Sequence, residues 1–229
     1  MSRIVTALAA TLLLAGCSGE QPAPQPSPES LATKPDPVPV MGPERRILAV
    51  GDSLFAGYGL RQGESYPAKL ETALRGQGIN ARITNAGVSG DTSAAGAQRF
   101  GFVLDSMKPA PDLVIVEFGG NDLLRGLPPE QTRANLDAML AEAAKRKLPV
   151  LLMGMLAPPN LGAEYRAKFD PIYPDLAKKH GARLVPFFLA AVLDKPDLVQ
   201  ADHLHPTARG VEEIVAATSG AVAKALPGK

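Results

Sequence analysis

The 229-residue chain has one cysteine, three histidines and no tryptophan. A single cysteine cannot form a disulfide within the chain. With so few histidines, no spaced histidine pair on a helix and no thiol cluster, we expect no metal site and no cofactor. Lys and Arg number 24 against 23 Asp and Glu, and basic residues do not alternate with aromatic ones. The charge pattern therefore argues against nucleic acid and favours a small molecule or lipid as partner.

The N-terminus has an apolar stretch that is short for a bilayer-spanning helix. Residues 1–3 form a basic start, Ile4 to Leu14 are mostly apolar, and small residues precede Cys17. This layout is typical of a secretory signal. The position of Cys17 resembles the lipobox of bacterial lipoproteins, which implies a signal peptide at 1–16 and a lipidated Cys17. The alternative is an ordinary secretory signal with an incidental cysteine.

The segment 17–43 follows, rich in Pro, Gln, Ser and Ala, with prolines at every second position from 22 to 28. Such a segment cannot bury a core and predicts an extended spacer. The lipoprotein resemblance implies an anchored protein of the bacterial cell envelope on the periplasmic side, and Ser18 after Cys17 resembles lipoproteins sent to an outer membrane. Residues 44–229 are long enough for one domain and short for two.

Within 44–229, apolar runs typical of strands alternate with segments of helical spacing. Continuous apolar strands that alternate with helices predict a parallel sheet covered on both faces, hence an α/β fold of three layers, α/β/α, around five strands. The predicted strands are Arg46 to Gly51, Ala81 to Asn85, Leu113 to Phe118, Pro149 to Met153 and Arg183 to Phe187. The predicted helices are Tyr66 to Arg75, Thr92 to Met107, Pro129 to Lys147, Ala163 to His180 and Thr207 to Ala225.

Ser53 follows the first predicted strand in the sequence Gly51-Asp52-Ser53-Leu54. A serine in such a turn has its hydroxyl beside free backbone N–H groups, which an acyl-transfer nucleophile requires. The alternative is a helix N-cap. Asp52 is expected to fix the turn through hydrogen bonds rather than to act as a nucleophile.

A serine nucleophile needs an imidazole base and a carboxylate that orients it, and Asp202 and His205 lie three residues apart near the C-terminus. His205 is preferred over His203 because a turn that holds Asp202 and His205 on one side points His203 elsewhere, and because Pro206 can begin the last helix. His180 precedes a glycine at a predicted helix end and is interpreted as structural.

Asn121 follows two glycines after the third strand. Its side-chain amide can donate to a developing oxyanion together with the backbone N–H groups of Ser53 and Gly90. A Gly-Gly-Asn turn by itself is more often purely structural.

These segments together resemble one family. Four short blocks match those of the GDSL or SGNH hydrolases in order: Gly51-Asp52-Ser53-Leu54, the run 85–93, Gly119-Gly120-Asn121-Asp122, and Asp202-x-x-His205-Pro206. The likeness is strongest to the bacterial thioesterases, lysophospholipases and arylesterases of this family. It implies a flavodoxin-like fold, Ser53 as nucleophile, His205 as base, Asp202 as its partner, and an oxyanion hole of Ser53, Gly90 and Asn121.

The resemblance implies an esterase that acts on small-molecule acyl esters or thioesters. Apolar loop residues, with Leu123, Leu156 and Pro158 foremost, are candidates for an acyl-chain groove, although about half of the apolar loop residues are expected to close the core instead. Two alternatives stay open: an O-acetyl esterase of carbohydrate or peptidoglycan, and a lipoprotein that binds a ligand without catalysis. The oligomeric state is not predicted.

Overall fold

The computed structural model of the protein describes residues 40–228. The predicted signal peptide at 1–16, the lipidation site Cys17 and most of the predicted linker lie outside the described residues. Within the described part, none of the helices is long and apolar enough to cross a membrane.

The core of the fold is a parallel sheet of five strands in the order β2-β1-β3-β4-β5. The central strands are continuously apolar because helices cover both of their faces, and Ile47 to Val50 and Leu113 to Val116 are fully buried. The strands are β1 (Arg45–Gly51), β2 (Ala81–Gly87), β3 (Leu113–Glu117), β4 (Val150–Met153) and β5 (Arg183–Val185). The predicted three-layer α/β/α fold with five parallel strands is confirmed.

Eight α-helices surround the sheet in the described part of the chain. They are α1 (Ser53–Ala56), α2 (Tyr66–Gly76), α3 (Ser93–Ser106), α4 (Gly120–Leu124), α5 (Pro129–Lys145), α6 (Gly162–Phe169), α7 (Ile172–His180) and α8 (Ala208–Ala225). Helices α2 and α8 pack together in one layer, and α5 packs between α3 and α7 in the other.

Two sequence predictions need correction, and two short helices were missed. The helix predicted over Ala163 to His180 is two helices, because Pro171 has no N–H for a continuous hydrogen-bond ladder. At this break the Asp170 Oδ1 accepts from the Ala157 N–H at 2.9 Å. The last helix, predicted over Thr207 to Ala225, spans Ala208–Ala225 with Thr207 as its N-cap, whose side chain accepts from the Gly210 N–H; Pro206 therefore lies before the helix and does not begin it. The short helices α1 and α4 were not predicted.

The strand order places a switch point between β1 and β3. From β1 the chain proceeds to the β2 side, whereas β3 leads on to β4 and β5. Open α/β sheets bind ligands outside the carboxyl ends of their strands at such a point. Ser53 follows β1 and Asn121 follows β3, so the two candidate residues flank the switch point.

Candidate active site

Ser53 is the first residue of α1, and the residue before it caps the helix. The Asp52 Oδ1 accepts from the Leu54 N–H at 3.0 Å, and the Asp52 carbonyl accepts from the Ala56 N–H at 2.9 Å. The N-cap role considered for Ser53 therefore belongs to Asp52. Gly51 allows this tight turn, since a Cβ there would lie 2.8 Å from Oε2 of Glu117 and 2.8 Å from the Phe55 ring.

A chain of hydrogen bonds joins Ser53, His205 and Asp202. The His205 Nε2 lies 2.8 Å from the Ser53 Oγ, and the His205 Nδ1 lies 2.6 Å from the Asp202 Oδ2. The second Asp202 oxygen accepts the backbone N–H groups of Leu204 and His205, each at 3.0 Å. Desolvation alone would raise the pKa of Asp202, but the hydrogen bonds from the His205 side chain and the two backbone N–H groups outweigh it and hold the pKa at about 2.

The loop that carries His205 is tied to the nucleophile turn by Gln200. Its backbone N–H donates to the His205 carbonyl at 2.7 Å, and its Nε2 donates to the carbonyls of Tyr58 and Pro206 at 2.8 and 2.9 Å. The Tyr58 ring lies against the imidazole with 4.5 Å between centroids. His205 is therefore fixed in orientation from both sides of the loop.

The other two histidines lie away from Ser53. His203 is exposed and adopts a left-handed backbone conformation with φ of 59°. His180 lies at the end of α7, where its Nε2 is 2.6 Å from the Asp137 Oδ1. His203 therefore lies at the rim of the site, and His180 forms a surface contact between α7 and α5.

Three N–H donors, from Ser53, Gly90 and Asn121, were predicted to converge near the Ser53 hydroxyl. Among residues 40–228, no protein acceptor is found for the backbone N–H of Ser53 or of Gly90. The Asn121 Nδ2 already contacts two acceptors, the Asp52 Oδ2 at 3.1 Å and the Asp91 carbonyl at 3.0 Å. The amide of Asn121 thus bridges the nucleophile turn and the loop that carries Gly90.

Two arginines hold the Gly90 loop, and the sequence reading did not select either of them. Arg125 donates to the Gly90 carbonyl at 2.8 Å. Arg99 pairs with the Asp91 carboxylate at 2.7 Å and also donates to the Gly51 carbonyl at 3.0 Å. Gly90 adopts a φ of +86°, which glycine does without strain, and nothing lies within 4 Å of a Cβ placed there, so the loop is held at this point by hydrogen bonds and not by packing. No pattern in the sequence links these arginines to the loop.

A buried acid lies directly behind Ser53 and was also missed. Glu117, the last residue of β3, is fully buried, and its Oε2 accepts the Asp52 N–H at 3.3 Å. Burial, followed by the nearby Asp52 carboxylate, raises the pKa of Glu117 well above its ordinary value. A glutamate that ends an otherwise apolar strand was the available signal.

The apolar loop residues divide as expected between core and surface. Leu54, Phe55 and Met155 are buried in the core, whereas Leu156 is 45% exposed. Pro158 is also exposed, and Leu123 is half-buried against the core. Four further apolar side chains are exposed at the carboxyl edge of the sheet or beside His205: Tyr58, Val88, Leu124 and Leu204.

Two surface cavities lie elsewhere. One is lined by residues that include Pro43, Asn80 and Leu226, near the amino ends of the strands, and the other lies between α5 and α6. Neither cavity includes Ser53, whose surroundings at the carboxyl edge of the sheet carry the exposed apolar side chains named above.

An open parallel sheet with a serine, a histidine and an aspartate linked at its switch point defines a hydrolase of the SGNH class. Residues 49–212 match the family model for the GDSL-like lipase/acylhydrolase family. The chain belongs to this family and is an esterase.

The similarity of this chain to its relatives extends over most of the domain. It is 42% identical over 160 residues to esterase TesA of Pseudomonas aeruginosa, covering 70% of this chain and 79% of TesA. It is 39% identical over 160 residues to thioesterase 1/protease 1/lysophospholipase L1 of Escherichia coli K12, covering 70% and 74%. The crystal structure of AlinE4, an SGNH-hydrolase family esterase, is 71% identical with a TM-score of 0.70 and covers 82% of this chain and 100% of AlinE4. The family resemblance predicted from the sequence is confirmed.

Proposed function

We propose that this esterase hydrolyses carboxylic esters and thioesters through Ser53, His205 and Asp202. The observation that carries the proposal is the continuous hydrogen-bond chain from the Asp202 carboxylate to the Ser53 hydroxyl, with distances of 2.6 and 2.8 Å. A nucleophile within hydrogen-bond reach of a base, and a base oriented by a third group, is the geometry of nucleophilic acyl transfer.

The reaction proceeds in two halves. His205 takes the Ser53 proton as the Oγ attacks the acyl carbonyl carbon, and the protonated imidazole then gives that proton to the departing alcohol or thiol. The serine ester left behind is attacked by water, which His205 deprotonates, and the carboxylic acid leaves as Ser53 regains its proton. Asp202 stays charged throughout, holds the Nδ1–H tautomer and stabilises the imidazolium.

The carbonyl oxygen becomes negative in each tetrahedral intermediate. The free N–H groups of Ser53 and Gly90 are its donors, and Asn121 contributes one amide hydrogen by shifting it from the Asp91 carbonyl or the Asp52 carboxylate. Burial of the lower part of this site strengthens these hydrogen bonds relative to water.

The relatives support the chemistry and the choice of residues. AlinE4 has also been solved with one serine and with one aspartate replaced by alanine, at positions 149 residues apart in its chain. Ser53 and Asp202 have the same separation. The relatives' names, esterase and thioesterase/lysophospholipase, support acyl esters and thioesters as the substrate class.

Hydrolysis of p-nitrophenyl esters of graded chain length by the soluble part from Glu44 tests the proposal. Ser53→Ala should lose nearly all turnover, because no other side chain replaces the nucleophile. Ser106→Ala is the matched control, since Ser106 is an exposed serine at the far end of α3 whose Oγ contacts only the Val103 carbonyl among the described residues. Wild-type turnover in purified Ser53→Ala would exclude the proposed nucleophile.

The chain-length profile separates the remaining alternatives. Turnover that peaks at medium or long chains supports acyl esters as substrates and the exposed Leu156 and Pro158 as part of the acyl-binding surface. Turnover confined to acetate favours the O-acetyl esterase alternative. No serine-dependent turnover would contradict Ser53 as the nucleophile of this esterase.

We also propose that Cys17 carries a lipid that anchors the protein in the bacterial cell envelope. The support is the sequence layout alone: a basic start, a short apolar stretch, small residues before the single cysteine, and a proline-rich spacer. Cys17→Ser should move the full-length protein from the membrane fraction to the soluble fraction of cells. An unchanged distribution would contradict the anchor.

A further inference from the structure

Two buried carboxyl groups lie together behind the nucleophile. Asp52 is 1% exposed and Glu117 is 0% exposed, and the Asp52 carboxylate adds to the burial that raises the pKa of Glu117. The backbone N–H of Asp52 also donates to the Glu117 Oε2 at 3.3 Å. The mechanism described above does not use Glu117.

Only one of these two groups can carry a negative charge at modest cost, because two adjacent buried charges repel each other without water to screen them. The Asp52 carboxylate is the better supported one. Its oxygens accept from the Leu54 N–H at 3.0 Å and from the Asn121 amide at 3.1 Å. Burial raises the pKa of both groups, and these hydrogen bonds oppose that effect for Asp52.

Glu117 has the opposite surroundings. Its Oε1 is buried and accepts no hydrogen bond from any residue of the described part of the chain. As a carboxylate oxygen it would be an uncompensated buried charge, whereas the neutral acid carries no charge that needs compensation and has an O–H that can donate.

The other polar groups near the pair are engaged elsewhere. Arg99 pairs with Asp91 and donates to the Gly51 carbonyl. Tyr173 donates to the Phe118 carbonyl at 2.8 Å. The imidazole of His205 contacts Ser53 and Asp202. None of these groups supplies a donor to the Glu117 side chain.

We propose that Glu117 is a positioning residue: as a neutral acid it donates a hydrogen bond to the Asp52 carboxylate, and Asp52 in turn holds the Asn121 amide and the Ser53 turn. The inference rests on the proposed function for its catalytic consequence. The protonated pair keeps one negative charge behind Ser53, where a second would oppose the developing oxyanion. The Asp52 carboxylate then accepts from the Leu54 N–H of its own turn and from the Glu117 acid. The Asn121 amide is therefore held in place but can turn one hydrogen toward the substrate.

Infrared spectroscopy tests the protonation state without any turnover. At neutral pH the wild type and Ser53→Ala should both show the carbonyl band of a protonated carboxylic acid, and Glu117→Gln should lose it. Glu71→Gln is the matched control, because Glu71 is a half-buried glutamate that accepts from the Ile83 N–H, and this variant should retain the band. Absence of the band in the wild type, or its persistence in Glu117→Gln, would overturn the proposal.

Kinetics test the positioning role. Glu117→Leu removes the donor and leaves the buried Asp52 charge short of one hydrogen bond, so kcat should fall about tenfold to a hundredfold with KM within about twofold. Glu117→Gln keeps a donor of nearly the same shape and should recover most of that loss. Equal turnover in the two variants would show that hydrogen-bond donation is irrelevant. If Glu117→Leu does not fold, the infrared comparison still decides the neutral state, and it does so even if Ser53 is not the nucleophile.

Discussion

Replacement of Asn121 separates a catalytic amide from a structural one. The Nδ2 group contacts the Asp52 Oδ2 at 3.1 Å and the Asp91 carbonyl at 3.0 Å, and so it bridges two loops in the resting enzyme. If it also donates to the oxyanion, Asn121→Ala loses an interaction that strengthens only in the transition state. The loss then falls on kcat and not on KM.

The two roles have different magnitudes. Removal of one oxyanion donor costs about 2.7–4 kcal/mol of transition-state stabilisation, which is on the order of a hundredfold to a thousandfold in kcat. Loss of the bridge alone leaves the buried Asp52 carboxylate and one carbonyl short of a donor. That costs roughly 1–3 kcal/mol of folding free energy and has no necessary effect on the chemical step.

We expect Asn121→Ala to show both effects when kcat and KM are measured with a p-nitrophenyl ester and stability is measured by urea unfolding. Asn135→Ala is the matched control, because the half-buried Asn135 donates to the Ser93 Oγ at 3.0 Å and takes no part in the site. It should lose stability and keep its turnover. A kcat of Asn121→Ala within about fivefold of the wild type, with stability reduced, would refute the oxyanion role.

Three further changes have defined outcomes. Asp202→Asn should lower kcat by about ten-thousandfold at neutral pH, as for a triad aspartate. Because the pKa of Asp202 is lowered from 3.8 to about 2 in the folded protein, its stabilising contribution should be complete above about pH 5 and lost progressively as the pH falls through 2. Acid-unfolding curves of the wild type and of Asp202→Asn would show this difference. Arg99→Met should lower kcat clearly and the free energy of unfolding only slightly, since it releases Asp91 and the Gly90 loop from the Arg99 hydrogen bonds. An unchanged kcat would contradict a role of Arg99 in holding this loop. Gly119→Ala should unfold at lower urea, because its Cβ would lie 2.1 Å from the Tyr173 hydroxyl at a φ of +118°.

The sequence could predict the sheet because each strand carries its own local signal. The five apolar runs are separated by segments with helical spacing, and the central strands are buried on both faces, so the pattern was continuous and not alternating. At Pro171 the apolar pattern failed to predict the break between two helices. The apolar positions on either side fit one helix, and Pro171, which cannot donate a backbone N–H, lies between α6 and α7.

The candidate site was predictable where its chemistry is concentrated in short motifs. Asp202 and His205 are three residues apart, and a tight turn brings their side chains together without help from distant elements. Contacts between residues that are distant in the sequence have no such local motif. Ser53 and His205 are 152 residues apart, and their proximity was inferred from the chemistry that a serine requires and from the family blocks.

The site therefore combines parts held by backbone geometry with one part held mainly by side chains. Ser53 is fixed by the β1 to α1 turn, and His205 by a turn that Asp202 and Gln200 close with backbone hydrogen bonds. The Gly90 loop has an exposed backbone and a left-handed glycine. Its Val88 N–H donates to the Gly51 carbonyl at 3.0 Å, and the side chains of Arg99, Arg125 and Asn121 hold the rest of the loop. Each of these side chains has another use or is reachable by solvent, so the position of the Gly90 N–H depends on all three. Substitutions at the arginines should consequently act on the oxyanion step, while the hydrogen bond between Ser53 and His205 persists.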